Sequence, residues 1–175
     1  MRTFLVMTVI ADDKPGLVES LSEAIARHQG NWLESSMAQL AGKFAGILKI
    51  SVSTESADQL AAALQALESN GLKLVIEKVE EGAVKASSET ALLTLVANDH
   101  PGIIRDISRV ILQQGGNVEH LVSECVPAPM SGDMLFKARI QLAIPSSVKL
   151  EKVQRALEKL ADDLIVEMSL TQDQN

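Results

Sequence analysis

The chain has 175 residues, 46% of them hydrophobic, enough to bury one good-sized core or two small ones. Its 16 Lys and Arg against 23 Asp and Glu leave a net charge of −7 and a pI near 5, which argues against a nucleic-acid surface, since that needs clustered cations to displace counterions from phosphates. The lone cysteine, Cys125, excludes an internal disulfide or a multi-thiolate metal site and fits a reducing compartment; no apolar run approaches the roughly 18 residues of a membrane span, so a cytoplasmic location is the default.

The opening run MRTFLVMTVIADD has one basic residue and no small-residue cleavage site, so it reads as a strand over 3–11 rather than a signal peptide. The stretch 11-ADDKPGLVESL-21 then opens a helix from about Pro15 to Gln29, with Leu17, Val18, Leu21 and Ile25 on one face. Proline at the first helical position loses no hydrogen bond, and the glycine after it leaves the helix mouth open. The first-turn amides of Gly16, Leu17 and Val18 are thereby expected to face outward as an anion site, with Asp13 either capping the helix or facing a ligand's ammonium; capping is the favoured reading. Gly30 is expected to be the left-handed helix stop. Strands over 32–40 and 44–53 flank the turn Ala41-Gly42-Lys43, and Trp32 reads as core or interface. A helix over 56–70 with Leu60, Leu64 and Leu67 ends at Asn70-Gly71 and leads into a strand over 72–79.

The same order then begins again. A strand over 90–97 runs into 97-ANDHPGIIRDI-107, followed by a helix with Ile103, Ile104, Ile107 and Ile111 and by Gly116 as its stop. A Pro-rich excursion, 127-PAPMSGD-133, replaces the short turn, and a helix over 147–161 precedes a strand over 164–170. At a constant offset, residues 8–31 and 94–117 share nine of 24 positions, Pro-Gly and Gly-Asn among them, which reads as an internal duplication. Apolar periodicity lapses in 80-EEGAVKASSE-89, giving domains at 1–80 and 90–175 around a linker at 81–89. Each half is βαββαβ, so the expected class is α+β: two ferredoxin-like domains, each an antiparallel sheet with both helices on one face. Their edge strands need covering, so a homo-oligomer or association of the two copies is expected.

The recurrence of Pro-Gly with Gly-Asn in both halves favours a binding role for Asn31 and Asn117 over a simple helix stop, and a zwitterionic amino acid suits such a site. The pattern D-x-P-G-[LI]-[VI] after strand one, with Gly-Asn before strand two, resembles the ACT domain, a small regulatory module that commonly binds amino acids. DDKPGLVESLSEAIARHQGNWLESSMAQLAGKFAGILKISV with ANDHPGIIRDISRVILQQGGNVEHLVSE resembles the family of glycine cleavage system transcriptional repressors, which are stand-alone tandem-ACT proteins. That resemblance implies a repressor that restrains a DNA-binding transcriptional activator by protein contact, with glycine as the opposing signal and no direct contact to nucleic acid or membrane. It implies ligand binding at Asp13, Lys14, Pro15, Gly16, Leu17 and Asn31, and at Asp99, His100, Pro101, Gly102, Ile103 and Asn117. The copies differ at Asp12/Asn98 and Lys14/His100, so equal affinity is not implied.

Nothing in the spacing suggests an enzyme, a metal centre or a cofactor. His28, His100 and His120 are scattered singly, and Cys125 on a predicted strand reads as a small core residue. The pairs Asp12-Asp13 and Asp162-Asp163 read as solvated ends, and neither Pro-Gly loop carries the arginine of a ferredoxin-like acylphosphatase. The competing reading is a ligand-free tandem scaffold that only contacts other proteins.

Overall fold

The computed structural model describes residues 1–79, 88–129, 132–160 and 164–170. Most of the expected linker, at 81–87, and the pair Asp162-Asp163 lie outside the described residues. In β1 (Arg2–Asp12), Leu5, Met7, Val9 and Ala11 alternate with more exposed neighbours, and all four are buried on one face of a sheet. The chain continues through α1 (Leu17–Arg27), β2 (Asn31–Leu40), β3 (Lys43–Ser53), α2 (Ala57–Ala66), a 3-10 turn at Leu67–Asn70, and β4 (Lys73–Val79). The second series is β5 (Ser88–Asn98), α3 (Ile103–Gln113), β6 (Asn117–Pro127), β7 (Met134–Pro145), α4 (Leu150–Glu158) and β8 (Ile165–Leu170). Ser88 and Glu89, expected in the linker, pair with Pro145 and Ile144 as the start of β5.

The chain divides into two compact units, Met1–Ala83 and Val84–Asn175. The sheets run in the order β2-β3-β1-β4 and β6-β7-β5-β8, antiparallel at every pairing. This is the ferredoxin-like α+β arrangement, present twice. In the first unit Leu21 and Ile25 of α1 and Leu60 and Leu64 of α2 close on the buried face of β1 and β3. In the second, Ile107 and Ile111 of α3 and Val153 and Leu157 of α4 do the same over β5 and β7. The edge strands are open: along β6 only Val126 is even half-buried, and Cys125 is exposed rather than part of the core. Its alternating neighbours mimic a buried strand, but an edge strand with one partner presents both faces more freely.

The helix ends differ from the sequence expectation in an instructive way. Gly30 and Gly116 are not the left-handed residues; Gln29 (φ 57) and Gly115 (φ 78), one position earlier, are. The N–H of Gly30 donates to the carbonyl of Ile25 at 2.9 Å and that of Gln29 to Ala26 at 2.9 Å, the paired bonds of a Schellman stop, and Gly116 and Gly115 repeat them onto Ile111 and Leu112. Gly30 is required for another reason. A Cβ there would lie 2.9 Å from Cγ2 of Ile25 and 3.2 Å from Cδ2 of Leu60; at Gly116 it would lie 3.0 Å from Cγ2 of Ile111. Two of the nine shared identities, Ile25 and Gly30, are therefore one packing contact.

The hairpins diverge. Leu40 pairs with Lys43, so Ala41 (φ 49) and Gly42 (φ 75) form a two-residue turn of type I′, with positive φ at both positions. In the second unit Pro127 pairs with Met134, and Ala128 N–H donates to the Asp133 carbonyl at 2.7 Å; Met130 and Ser131 of the expected excursion lie outside the described residues. Both edge strands carry the same irregularity near their start, between Trp32 and Glu34 and between Val118 and His120. Trp32 packs partly buried against the first core.

Replacing Gln29 with Gly, as the second unit already has at Gly115, is expected to stabilise the first unit by about 0.5–1 kcal/mol, the left-handed strain relieved less the added freedom of the unfolded chain. Gly30→Ala is expected to destabilise by about 1–3 kcal/mol through overpacking against Ile25 and Leu60. Differential scanning calorimetry of the full chain checks both, the first raising and the second lowering the melting transition of that unit.

Candidate functional site

Each helix mouth is built by a left-handed glycine. α1 begins at Leu17, with Gly16 ahead of it at φ 90 and ψ 1; α3 begins at Ile103, with Gly102 at φ 94 and ψ 1. These angles are those of the third residue of a type II turn, whose second position suits proline. In the second unit the turn closes with Ile103 N–H on the His100 carbonyl at 3.3 Å. Pro15 and Pro101 thus precede the helix instead of starting it. Pro-Gly serves either as a helix opening or as a turn, and the positive φ of the glycine decides for the turn.

Asp13 does not cap α1: the position adjoining the helix is Gly16, and no side chain caps it. The backbone N–H of Asp13 instead donates to the Gly42 carbonyl at 2.9 Å, and that of Asp99 to Met134 at 2.8 Å, tying each loop to the neighbouring hairpin. The first helical bonds, Ser20 N–H to Gly16 and Asp106 N–H to Gly102, are 2.9 and 3.0 Å. The amides of Gly16, Leu17 and Val18 have no acceptor among the described residues. Lys14, His100, Asp13 and Asp99 are exposed beside the mouths, whereas the side chains of Leu17 and Ile103 turn toward the cores.

Asn31 and Asn117 lie elsewhere. Asn31 pairs with Ser51, which pairs with Phe4, while the Pro-Gly loop follows Asp12, eight residues further along β1. At about 3.4 Å per residue, roughly 27 Å of strand separates them. Asn117 stands in the same relation through Ala143 and Thr90. Within one unit, therefore, the asparagine and the Pro-Gly loop sit at opposite ends of the sheet. Their joint recurrence reflects the two ends of one helix.

The mouths differ in charge. Glu19 lies nearest Gly16, its Oε2 3.9 Å from where a Cβ would stand, but at Gly102 the nearest group is the Arg105 guanidinium, at 3.0 Å. Arg105 donates to Asp106 through Nε at 2.9 Å and through its Nη2 at 3.3 Å. That hydrogen bond holds the Asp106 carboxyl below its ordinary range against some desolvation, and raises Arg105 in turn. Beside the pair is a cavity of about 60 Å³ among Ala97, Asn98, His100, Ile103, Asp106, Ile107, Leu160 and Leu164. The first unit has Glu19-Ser20 in place of Arg105-Asp106, and its nearby cavity, about 330 Å³, lies at the strand end among Ile10, Ala11, Asp12, Lys43, Gly71 and Lys73, with no residue of α1. There the Lys43 ammonium, hydrogen-bonded and ion-paired to Asp12, lowers that carboxyl. Arg105 and Asp106 escape a search for identities between the copies; the difference between GLVES and GIIRD is their signal.

Cys125 of β6 lies within electrostatic reach of the Asp99 carboxylate. Partial desolvation first, then the Asp99 charge and hydrogen bond, raise its thiol above the ordinary value. Of the histidines, His28 meets the Ala24 carbonyl through Nδ1 at 2.9 Å near the end of α1, and His100 and His120 are exposed. Among the described residues no group of three His, Cys, Asp or Glu side chains is placed to hold a metal, and no helix is long and apolar enough to cross a membrane.

Residues 3–77 match the family model of the ACT domain. No curated protein matches the chain. Among solved structures, an unknown protein from Galdieria sulphuraria superposes with a TM-score of 0.86 over 98% of this chain and 100% of its own, at 23% identity. A protein provisionally assigned as a glycine cleavage system transcriptional repressor superposes with a TM-score of 0.72 over 99% of each chain, at 16% identity. At such identities the likeness establishes the fold.

Removing the carboxylate in Asp99→Asn is expected to bring the Cys125 thiol down, enlarge its thiolate fraction and speed alkylation by iodoacetamide at about pH 8. An unchanged rate places Asp99 too far away to act.

Proposed function

We propose that this chain, an ACT domain over residues 3–77 followed by a second unit of the same ferredoxin-like fold, is an amino-acid-responsive regulatory protein whose ligand is taken up at the mouth of α3. The observation that carries the reading is the Arg105–Asp106 pair beside a small cavity and the amides of Gly102 and Ile104, which have no acceptor among the described residues, although that of Ile103 is held by the His100 carbonyl. The amides and the guanidinium suit a carboxylate, and Asp106 with Asn98 suits an ammonium, so the mouth complements a zwitterion. A cavity of about 60 Å³ is far below the roughly 300 Å³ at which ordinary ligand pockets begin, which favours the smallest amino acids, glycine first. The first mouth repels a carboxylate through Glu19 and is the weaker or silent copy.

In this reading the protein is a repressor that acts by contact with a DNA-binding transcriptional activator of glycine cleavage genes. Support comes from the full-length likeness to the structure provisionally assigned as such a repressor. Glycine shifts that contact by binding one state better than the other, and only by that difference. Asp99, His100, Pro101, Gly102 and Ile103 shape the proposed site, with Asp13, Lys14, Pro15, Gly16 and Leu17 as its counterpart. Asn31 and Asn117 stand too far from their own mouths to share that ligand. The smallness of the cavity also favours a second reading, in which the tandem is a scaffold with no ligand.

Calorimetric titration with glycine, then with a panel of other amino acids, separates the two. Saturable glycine binding is expected, lost in Gly102→Val, kept in Gly16→Val and Glu19→Gln, and weakened about tenfold or more in Arg105→Gln, whose backbone is undisturbed. Binding lost with Gly16→Val but not with Gly102→Val moves the site to the first unit. No binding by any amino acid, from protein shown to be folded by circular dichroism, leaves the scaffold.

A further inference from the structure

Leu60 and Leu64 of α2 are buried in the first core as Val153 and Leu157 of α4 are in the second. That equivalence sets Ser56, Gln59, Ala62 and Ala66 against Lys149, Lys152, Arg155 and Lys159. Four positions that are neutral in one unit are all cationic in the other. In the second unit they are exposed and line a groove of about 1070 Å³ between α4 and the end of α3. None of the four makes an ion pair among the described residues. Helix stability accounts for Arg155 and Lys159, which stand at the end of α4, but not for Lys149 and Lys152, which stand at its start, the positive end of its dipole, where cations are disfavoured.

The chemistry of an occupant follows from the layout. From Lys149 to Lys159 the helix rises about 15 Å, so the charges are strung along a line and do not converge on one small anion. The groove also has an apolar floor: Val148, Leu150 and Ala156 are half-buried against the core beneath it. Glu89 and Glu151 on the rim, within a chain of net charge −7, disfavour a nucleic-acid backbone, whose charge is continuous along its length. A protein segment with carboxylates on one side and apolar side chains on the other meets both features.

We propose that this groove of the second unit docks an acidic, amphipathic segment of a protein partner. The surface is independent of the amino-acid site at the mouth of α3 and stands whether or not glycine binds there.

The test is fluorescence anisotropy of a fluorescein-labelled peptide, glutamates on one helical face and leucines on the other, titrated with the full chain. The variant carries the first unit's own residues, Lys149→Ser, Lys152→Gln, Arg155→Ala and Lys159→Ala. A control loses four cations elsewhere, Arg27, Lys49, Lys137 and Arg139, each to Gln. Saturable binding that the control keeps and the groove variant weakens about tenfold or more, with affinity falling as salt rises, is the expected result. Should the fourfold variant misfold, Arg155→Gln alone at its exposed position carries the same prediction in smaller measure. The proposal is overturned by no binding to wild type or by equal losses in variant and control, which mark a net-charge effect. It is overturned equally by tighter binding of a single-stranded oligonucleotide of the same charge through these four residues, or by a groove variant that changes only the sedimenting mass of the protein alone.

Discussion

A glycine held at φ near +90° between the first strand and the first helix is the constraint on which the passage from strand to helix in each unit depends. It lets the chain reverse from β1 into α1, or from β5 into α3, within one turn, at a conformation that costs any L-residue about 1–2 kcal/mol. Because glycine has no side-chain oxygen, the helix is left without a side-chain cap; in the first unit its first amides have no acceptor among the described residues, and in the second that of Ile103 is held by the His100 carbonyl. Because the turn is tight, the preceding aspartate can offer its own N–H to the adjacent hairpin. Aspartate, proline and glycine in this order are therefore one structural device.

Much of the fold was legible in the sequence, for a physical reason: apolar alternation in strands and three-to-four spacing in helices are set by burial, and burial here is regular. Leu5, Met7, Val9 and Ala11, or Ile103, Ile107 and Ile111, announce their faces by position alone. The helix ends were less legible. A glycine reads the same whether it supplies positive φ, as Gly115 does, or removes a Cβ from a crowded contact, as Gly116 does. In the first unit the left-handed residue is Gln29, so nothing in its identity marks the turn. Asn31 was linked to the Pro-Gly loop by recurrence, but recurrence along a chain does not say that two residues lie at the same end of a helix. Arg105 and Asp106, which distinguish the two mouths, leave no mark among the shared identities because they differ between the copies.

Averages concealed the charge in the same way. A net charge of −7 describes the chain and not its parts, and it gives no hint that four cations in and flanking α4 line one groove with no ion pair among the described residues, where the equivalent positions at α2 are neutral. The two units keep one backbone plan and one style of core. Their surfaces have moved in opposite directions at the same positions: acid against base at the helix mouth, neutral against basic on the second helix. Architecture is held by packing, and function diverges where side chains meet solvent.

The contact between Ile25 and Gly30 also bears on how freely such positions can change. A side chain at either glycine meets an isoleucine γ2 methyl, at 2.9 Å in the first unit and 3.0 Å in the second, so a change there crowds the core, and shortening the isoleucine first empties volume in it. The route to an altered pair passes through a damaged intermediate whichever residue moves first. Positions locked in this way are held by steric necessity in each half separately. A shared Ile-Gly pair thus reflects packing in each half and says nothing about what either copy binds.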